Sequence, residues 1–205
     1  MITYIFGYPV YIGNVEDNEV IHEDVKNYGE LKESLEWNAE CLTSAVDAHG
    51  DENVSHFSSH SFEEQVLKHA KSMTKLLDLN LQLILGTCSC CKSEDYWVNS
   101  YKKGHKQDIH WHPNVEGKTD LLFSFVYFSR YDSDKDAKLV FVNPASPIPC
   151  EELKKLPCFQ DEIIPDIKEG QLIIFPNIML HCVQEQKSEG TRTTIAGNLY
   201  EQLKE

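Results

Sequence analysis

The chain has 205 residues, a formal net charge of −14 at pH 7 and 41% hydrophobic residues. This length allows a core without disulfides or structural metals, and we predict a single domain over 1–205 in which 1–92 supplies supporting strands and helices and 93–205 the core. The acidity disfavours phosphate backbones and anionic bilayers, so neither nucleic acid nor a membrane is an expected partner. No window approaches the roughly 18 uninterrupted apolar residues of a membrane-spanning helix.

The N-terminal sequence and the seven cysteines indicate the compartment. The first twenty residues lack a basic segment and soon become acidic, so we expect no secretory leader. An odd cysteine count without a leader favours reduced thiols and a cytoplasmic location. Cys88, Cys90 and Cys91 suggest structural zinc, but the sequence lacks the two Cys-x₂-Cys pairs of typical zinc sites, and buried free thiols are the alternative.

The N-terminal part is predicted to contain strands, a loop and two helices. Residues 2–13 alternate aromatic and β-branched side chains, which predicts one or two short strands. Residues 15–25 are acidic and are expected at the surface. Apolar side chains recur at three- and four-residue steps over 29–47, which predicts a helix, and the polar stretch 48–60 is predicted to be a loop.

A second helix is predicted over 62–78. Ser61 and Glu64 form a capping box, and apolar residues from Phe62 to Leu77 follow at helical spacing. We expect the apolar face of this helix to pack along a sheet.

From about residue 93 the sequence changes to short apolar segments separated by Gly, Pro and Asp. This pattern indicates a sandwich or barrel rather than a βαβ sheet. The segment 144–168 contains five prolines and is predicted to be a long irregular connection. The predicted strands are 95–102, 107–112, 121–129, 138–142, 171–175, 180–184 and 192–200.

Three of the nine histidines have positions that suit a metal ion. Alternate residues of a strand point to the same face, so His110 and His112 could direct two imidazoles at one ion, and Pro113 then ends the strand. His181 opens a short strand that follows the apolar strand and proline turn of 170–176. Imidazole binds Fe, Zn, Cu and Ni, so the spacing alone does not choose the metal.

Arg192 and Thr194 share one face of the last predicted strand. An arginine that points into a barrel needs an anionic partner, because an unpaired buried charge is very costly. A dicarboxylate ligand would supply that partner with bidentate geometry. The alternative is a surface arginine on an edge strand.

The run from about 95 to 200 carries several motifs in order. They are Tyr96-Trp97-Val98-Asn99, His110-Trp111-His112-Pro113-Asn114, Phe125-Val126-Tyr127-Phe128, 170–176, His181-Cys182-Val183, and Arg192-Thr193-Thr194 with Asn198. This run resembles the 2-oxoglutarate- and Fe(II)-dependent oxygenases, especially small prolyl-hydroxylase-like members with a His-x-His-Pro motif from phages and marine bacteria. The resemblance implies a mainly β protein with flanking N-terminal helices, built on a double-stranded β-helix (jelly-roll, cupin-like). A phage-like source would make the location the host cytoplasm.

The resemblance also implies an activity. Fe(II), 2-oxoglutarate and O₂ would be used to hydroxylate a substrate, with release of succinate and CO₂. The expected partners are the co-substrate and an unidentified peptide, protein or small molecule, with a peptidyl or prolyl residue as the nearest analogy; a homodimer is left open.

The same resemblance assigns residues to the site. It implies that His110 and His181 bind the metal and that Arg192 binds the distal carboxylate of 2-oxoglutarate. Thr194 and Tyr127 would assist Arg192, and Asn99 would face the same cavity.

His112 departs from the commonest pattern of that superfamily, which has a carboxylate at this position. Relatives with His-x-His-Pro look similar, so we retain His112 as a ligand, with Asp108 as the nearest alternative carboxylate. Two further interpretations remain open. One is a three-histidine cupin-type dioxygenase that does not use 2-oxoglutarate and does not need Arg192. The other is a non-catalytic jelly-roll binding module with a structural metal.

Overall fold

The computed structural model describes residues 1–28, 31–33, 39–44, 57–88, 93–94, 96–112, 121–146 and 150–202. The described helices are α1 (Asn18–Tyr28), α2 (His60–Leu76) and two short 3₁₀ helices (Leu153–Lys155 and Pro157–Phe159). The first eight strands are β1 (Ile2–Ile5), β2 (Tyr8–Asn14), β3 (Lys32–Glu33), β4 (Ala39–Glu40), β5 (Leu42–Thr43), β6 (Leu83–Leu85), β7 (Thr87–Cys88) and β8 (Ser93–Glu94). The other eight are β9 (Tyr96–Tyr101), β10 (Lys106–His110), β11 (Leu121–Arg130), β12 (Leu139–Val142), β13 (Glu162–Ile163), β14 (Gln171–Pro176), β15 (His181–Val183) and β16 (Arg192–Glu201).

Two antiparallel sheets organise the molecule. The larger sheet has nine strands in the order β1-β2-β14-β11-β16-β9-β5-β3, with β6 paired to β16. The smaller sheet has five strands in the order β13-β12-β15-β10-β4, and β7 pairs with β8 separately. None of the described helices is long and apolar enough to span a bilayer.

Each face of the larger sheet buries apolar side chains. On one face, Val126 and Phe175 pack with Leu139 and Phe141 of the smaller sheet. On the other face, Phe62 of α2 and other apolar residues of both helices pack against the sheet. The burial of large apolar side chains on both faces drives this layered arrangement, as expected for strands that are apolar on both sides.

The C-terminal predictions and the prediction for α2 are confirmed. All seven predicted strands after residue 93 exist within one or two residues of their predicted ends. The predicted helix 62–78 is α2, although its N-cap is Ser59 rather than Ser61, with the Ser59 side chain accepting a hydrogen bond from the Phe62 amide at 3.4 Å. The connection 144–168 contains only the two 3₁₀ helices and β13 as regular elements in its described part.

One N-terminal prediction is wrong, and one N-terminal helix was not predicted. The described parts of 29–47 contain β3, β4 and β5 instead of a helix, and β5 pairs with β9. The acidic stretch 15–25 lies at the surface as expected, and most of it belongs to α1, a helix that was not predicted and that buries Ile21 and Val25 against the sheet. Backbone pairing at a sheet edge overrode the helical periodicity of 29–47, and a narrow apolar stripe was hidden by the charges of 15–25. Residues 29–30, 34–38 and 45–56 lie outside the described residues, as do Cys90 and Cys91.

Candidate active site

Three histidine rings converge at the end of the smaller sheet. His110 ends β10 and His181 opens β15, and these two residues lie directly opposite each other in the antiparallel pair. Their ring centroids are 4.1 Å apart, and each is 5.3 Å from the ring of His112. One ring nitrogen from each of the three histidines lies within 4.8 Å of the others. This spacing suits three ligands of one metal ion.

His112 reaches the cluster from outside the strand. The strand was predicted to run to residue 112, but β10 ends at His110. The backbone of His112 is held by Asn177, whose carbonyl accepts from the His112 amide at 3.0 Å and whose side chain donates to the His112 carbonyl at 2.9 Å. The His112 ring stacks on Trp97, with centroids 6.2 Å apart and an interplanar angle of 23°. The backbone contacts with Asn177 and the stacking on Trp97 therefore help to position this imidazole.

Backbone carbonyls fix the tautomers of the other two rings. His181 Nδ1 donates to the Met179 carbonyl at 2.9 Å, and His110 Nδ1 donates to the Asp108 carbonyl at 2.9 Å. A carbonyl cannot donate, so both protons are on Nδ1, and each Nε2 carries the lone pair that can bind a metal. At metal sites, a histidine that binds the ion through one ring nitrogen commonly donates a hydrogen bond from the other one, as Nδ1 does here.

Burial keeps these imidazoles neutral, which is the form that binds metals. Burial lowers the pKa of His110 from its ordinary value. The pKa of His181 lies well below its ordinary value because of burial and, secondarily, because of the neighbouring His110 and His112. The Asp108 carboxylate does not join the cluster; it is half exposed and faces Lys106 at 3.4 Å.

Arg192 is buried, and no carboxylate forms an ion pair with it in the part of the chain that the structure describes. Its side chain is 1% exposed, and its guanidinium carbon lies 4.6 Å from the ring centre of Tyr101 and 5.2 Å from that of Phe128. Within the described part of the chain, its Nε and Nη1 atoms have no hydrogen-bond partner. Stacking on rings offsets only part of the cost of burying such a charge, so the arrangement suits an added carboxylate.

One cavity unites the histidines with the arginine. Its walls include all three histidines, Arg192, Asn99 and Thr194. Asn99 and Thr194 are directly paired neighbours on β9 and β16. The structure therefore brings six of the seven predicted site residues together.

Tyr127 is the predicted residue that the structure does not bring to this cavity. Its neighbours Val126 and Phe128 face the smaller sheet, so strand alternation turns Tyr127 to the helical side. There its ring packs 5.4 Å from Phe62, and its hydroxyl donates to the side chain of Asn18. This position corrects the expectation that Tyr127 assists Arg192.

The cavity is also lined by residues that were not predicted from the sequence as part of the site, among them Trp97, Tyr101 and Gln107. Tyr101 could have been found, since it lies two positions after Asn99 on the same strand face. Gln107 could not, because it is three positions before His110 and strict alternation would place the two on opposite faces.

Comparisons with known proteins agree on a family. The family model described as "Putative 2OG-Fe(II) oxygenase" matches residues 95–198, just over half of the 205 residues. The matched segment contains the three histidines and Arg192. No curated protein gives a significant match.

Solved structures with the same fold include two prolyl hydroxylases. A prolyl-4-hydroxylase from Pseudomonas putida is 12% identical, with a TM-score of 0.58 and coverage of 96% of this chain and 94% of that one. The viral collagen prolyl hydroxylase from Paramecium Bursaria Chlorella virus-1, in complex with 2-oxoglutarate, is 12% identical, with a TM-score of 0.54 and coverage of 93% and 94%. HygX from Streptomyces hygroscopicus, with nickel, 2-oxoglutarate and hygromycin B bound, is 12% identical, with a TM-score of 0.57 and coverage of 93% and 82%. At this identity the likeness shows the fold.

The fold and the matched segment define the class of the protein. The chain belongs to the 2-oxoglutarate- and Fe(II)-dependent oxygenase family, whose members are oxidoreductases that use Fe(II), 2-oxoglutarate and O₂. The predictions of a double-stranded β-helix, of an oxygenase and of these cofactors are thereby confirmed.

Proposed function

We propose that this protein hydroxylates a substrate while 2-oxoglutarate is oxidatively decarboxylated to succinate and CO₂. The observation that carries the proposal is one cavity lined by three metal-competent imidazoles and by a buried arginine, whose Nε and Nη1 atoms have no hydrogen-bond partner among the described residues. Fe(II) with its co-substrate, when bound there, supplies the oxidising chemistry. The side chains of this protein would bind the metal and the co-substrate, orient them, and exclude water.

The proposed metal ligands are the ring nitrogens of His110, His112 and His181. Imidazole is a suitable donor for Fe(II), and the Nδ1 contacts of His110 and His181 pre-orient their rings. His112 is preferred to Asp108 as third ligand because the Asp108 carboxylate is turned towards Lys106 and solvent. All three ligands are neutral, so the dianionic co-substrate would supply the negative charge that balances the metal.

Arg192 is the proposed partner of the distal carboxylate of 2-oxoglutarate. Binding of that carboxylate would satisfy guanidinium atoms that are otherwise buried without partners. Asn99 and Thr194 are proposed to assist, because both are buried polar residues of the same cavity wall. Tyr127 is left out of the proposed site.

Peptidyl proline is the first substrate class that we propose to test. Its support is the fold shared with two prolyl hydroxylases and the position of Trp97, whose aromatic ring lies beside the three histidines. HygX, whose structure contains hygromycin B, has the same fold, so small molecules form the second screening class.

The proposed setting is a reducing cytoplasm without a nucleic-acid partner. Cys41, Cys150, Cys158 and Cys182 are all unpaired thiols in the described residues. The net charge of −14 repels phosphate backbones.

Turnover of 2-oxoglutarate tests the proposal. We expect the protein with Fe(II), 2-oxoglutarate and air to form succinate, measured by NMR, and to consume O₂. His110→Ala and His181→Ala should abolish succinate formation, whereas His60→Ala, which changes a histidine that is 84% exposed, should not.

Arg192 separates the proposal from the alternatives. Arg192→Ala should lose most succinate formation at low 2-oxoglutarate, whereas Arg130→Ala, which changes an exposed arginine of β11, should leave it unchanged. Full activity of Arg192→Ala would favour the three-histidine dioxygenase. Iron binding without any O₂ consumption would favour the non-catalytic module.

A further inference from the structure

Gln107 lies in the cavity wall between Arg192 and the histidines. It is on β10, three residues before His110, yet both residues line the cavity. The register between β10 and β15 shifts between these two positions, which is the mark of a bulge or a similar irregularity. Such irregularities redirect side chains beside active sites. This one brings Gln107 to the same face as His110, although regular alternation would place residues three positions apart on opposite faces.

Two hydrogen bonds orient the amide of Gln107. The Tyr101 hydroxyl donates to Gln107 Oε1 at 3.1 Å. The amide nitrogen then faces His110, with Gln107 Nε2 3.4 Å from His110 Nε2. Tyr101 in turn carries the guanidinium of Arg192 on its ring. A chain of contacts through Tyr101 and Gln107 therefore joins Arg192, the proposed carboxylate-binding residue, to His110, a proposed metal ligand.

The contact with His110 cannot persist in the metal-bound protein. His110 Nδ1 donates to a carbonyl, so Nε2 has a single lone pair, which either accepts from Gln107 or binds the metal. The Gln107 amide would then lose its acceptor while Tyr101 still holds its carbonyl end. This half-buried N–H group lies in the cavity wall beside the proposed metal ligand, where an anionic acceptor would bind it more strongly than water. The carboxylate of 2-oxoglutarate that chelates the metal is an anionic acceptor of that kind.

We infer that Gln107 is a co-substrate-binding residue, whose amide donates a hydrogen bond to the metal-proximal carboxylate of 2-oxoglutarate. This inference rests on the proposed function. It assigns the two ends of 2-oxoglutarate to different groups: Arg192 binds the distal carboxylate, and Gln107 orients the proximal one.

Two variants test this assignment under anaerobic conditions. Gln107→Met has a similar length and no hydrogen-bonding group, and Gln107→Glu keeps the shape but replaces the donor with a negative charge. For each, the affinity for Fe(II) alone is measured first, and the affinity of the iron-loaded protein for 2-oxoglutarate is then measured from the visible absorption band of the complex.

We expect Gln107→Met to bind Fe(II) at least as well as the wild type, because no amide competes for the His110 lone pair. Its Kd for 2-oxoglutarate should rise by about tenfold or more, as expected for loss of a hydrogen bond to a charged group. Gln107→Glu should raise that Kd further. The absorption band of Gln107→Met should move to higher energy, because a hydrogen bond to the chelating carboxylate stabilises the acceptor orbital.

Gln171→Met is the matched control. Gln171 lies on β14, where its amide donates to Asn14 on the surface, and its loss should leave both affinities unchanged. A 2-oxoglutarate Kd of both Gln107 variants within twofold of the wild type would overturn the inference. Loss of Fe(II) affinity in Gln107→Met would also overturn it, since the amide would then only support His110. If Gln107→Met does not fold, Gln107→Glu decides by the same criteria.

Failure of the proposed function has a different signature. In that case the wild-type protein itself binds Fe(II) without binding 2-oxoglutarate, and the inference falls together with the function. If the wild type binds both and only the Gln107 variants fail to differ from it, the function stands and the inference is wrong.

Discussion

At the scale of single residues, His112 is the least common feature of the proposed site. It supplies a neutral imidazole where the superfamily most often has a carboxylate, and Asn177 and Trp97 hold it in place.

We expect His112→Leu to weaken Fe(II) binding by about 100-fold or more. Loss of a group that only supports a ligand already costs about 10–100-fold, and a ligand should cost more. The measurement is an anaerobic Fe(II) titration, with His60→Leu as the control. An unchanged affinity would show that the metal is held by His110 and His181 without His112.

The buried His181 makes the stability of the metal-free protein depend on pH. Its pKa is well below the ordinary value of 6.5 in the folded protein, so the unfolded chain binds the proton more readily. The contribution of neutral His181 to the free energy of unfolding is therefore fully present above about pH 6.5. It falls by about 1.4 kcal/mol per pH unit as the pH drops from 6.5 towards the pKa in the folded protein.

The test compares the wild type with His181→Gln by urea unfolding between pH 7.5 and 5. The difference in their free energies of unfolding should shift in favour of the variant as pH falls. A difference that does not vary with pH would contradict this effect of burial.

Single residues also show which parts of the site can be predicted from sequence. His110, His181 and Arg192 were predictable because strand alternation and chain order are visible in the sequence. Gln107 was not, since the register shift that turns it inward arises from pairing with β15. Tyr127 was assigned to the cavity from a resemblance that did not say which face of β11 it occupies.

At the scale of elements, α2 supports the sheet from its outer face. Phe62 is fully buried and packs within 5.4–6.0 Å of the rings of Tyr96, Phe125 and Tyr127. We expect Phe62→Ala to lower the free energy of unfolding by about 3–5 kcal/mol, because it leaves a cavity between helix and sheet.

Urea unfolding measures this loss. Leu67→Ala is the control on the same helix, since Leu67 is 38% exposed and should cost much less. Equal losses for the two variants would show that α2 is not packed on the sheet in this way.

The elements differ in how well the sequence encodes them. Helix α2 is amphipathic and well capped, so its periodicity and its structure agree. Strands β3 and β5 are two residues each; β5 pairs with β9, which is distant in sequence, and β3 pairs with β5, so no local pattern marks them. Helix α1 buries only Ile21 and Val25, which is too narrow a stripe to stand out among acidic residues.

At the scale of the whole molecule, the N-terminal and C-terminal parts share one sheet. Strand β2 pairs with β14, and β6 pairs with β16, so both parts of the chain build the sheet that forms one wall of the cavity. The single domain over 1–205 stays a prediction, and these pairings support it. The C-terminal fold could be predicted because its strands have turn signals between them and because family motifs occur in order.

We propose that one cavity binds Fe(II) through three histidines and 2-oxoglutarate through Arg192. The most direct test is to mix the metal-free protein with Fe(II) and 2-oxoglutarate under anaerobic conditions and to record the visible spectrum. We expect a weak metal-to-ligand charge-transfer band that requires protein, Fe(II) and 2-oxoglutarate together; admission of air should abolish the band and yield succinate. Iron binding without such a band, or no iron binding at all, would contradict it.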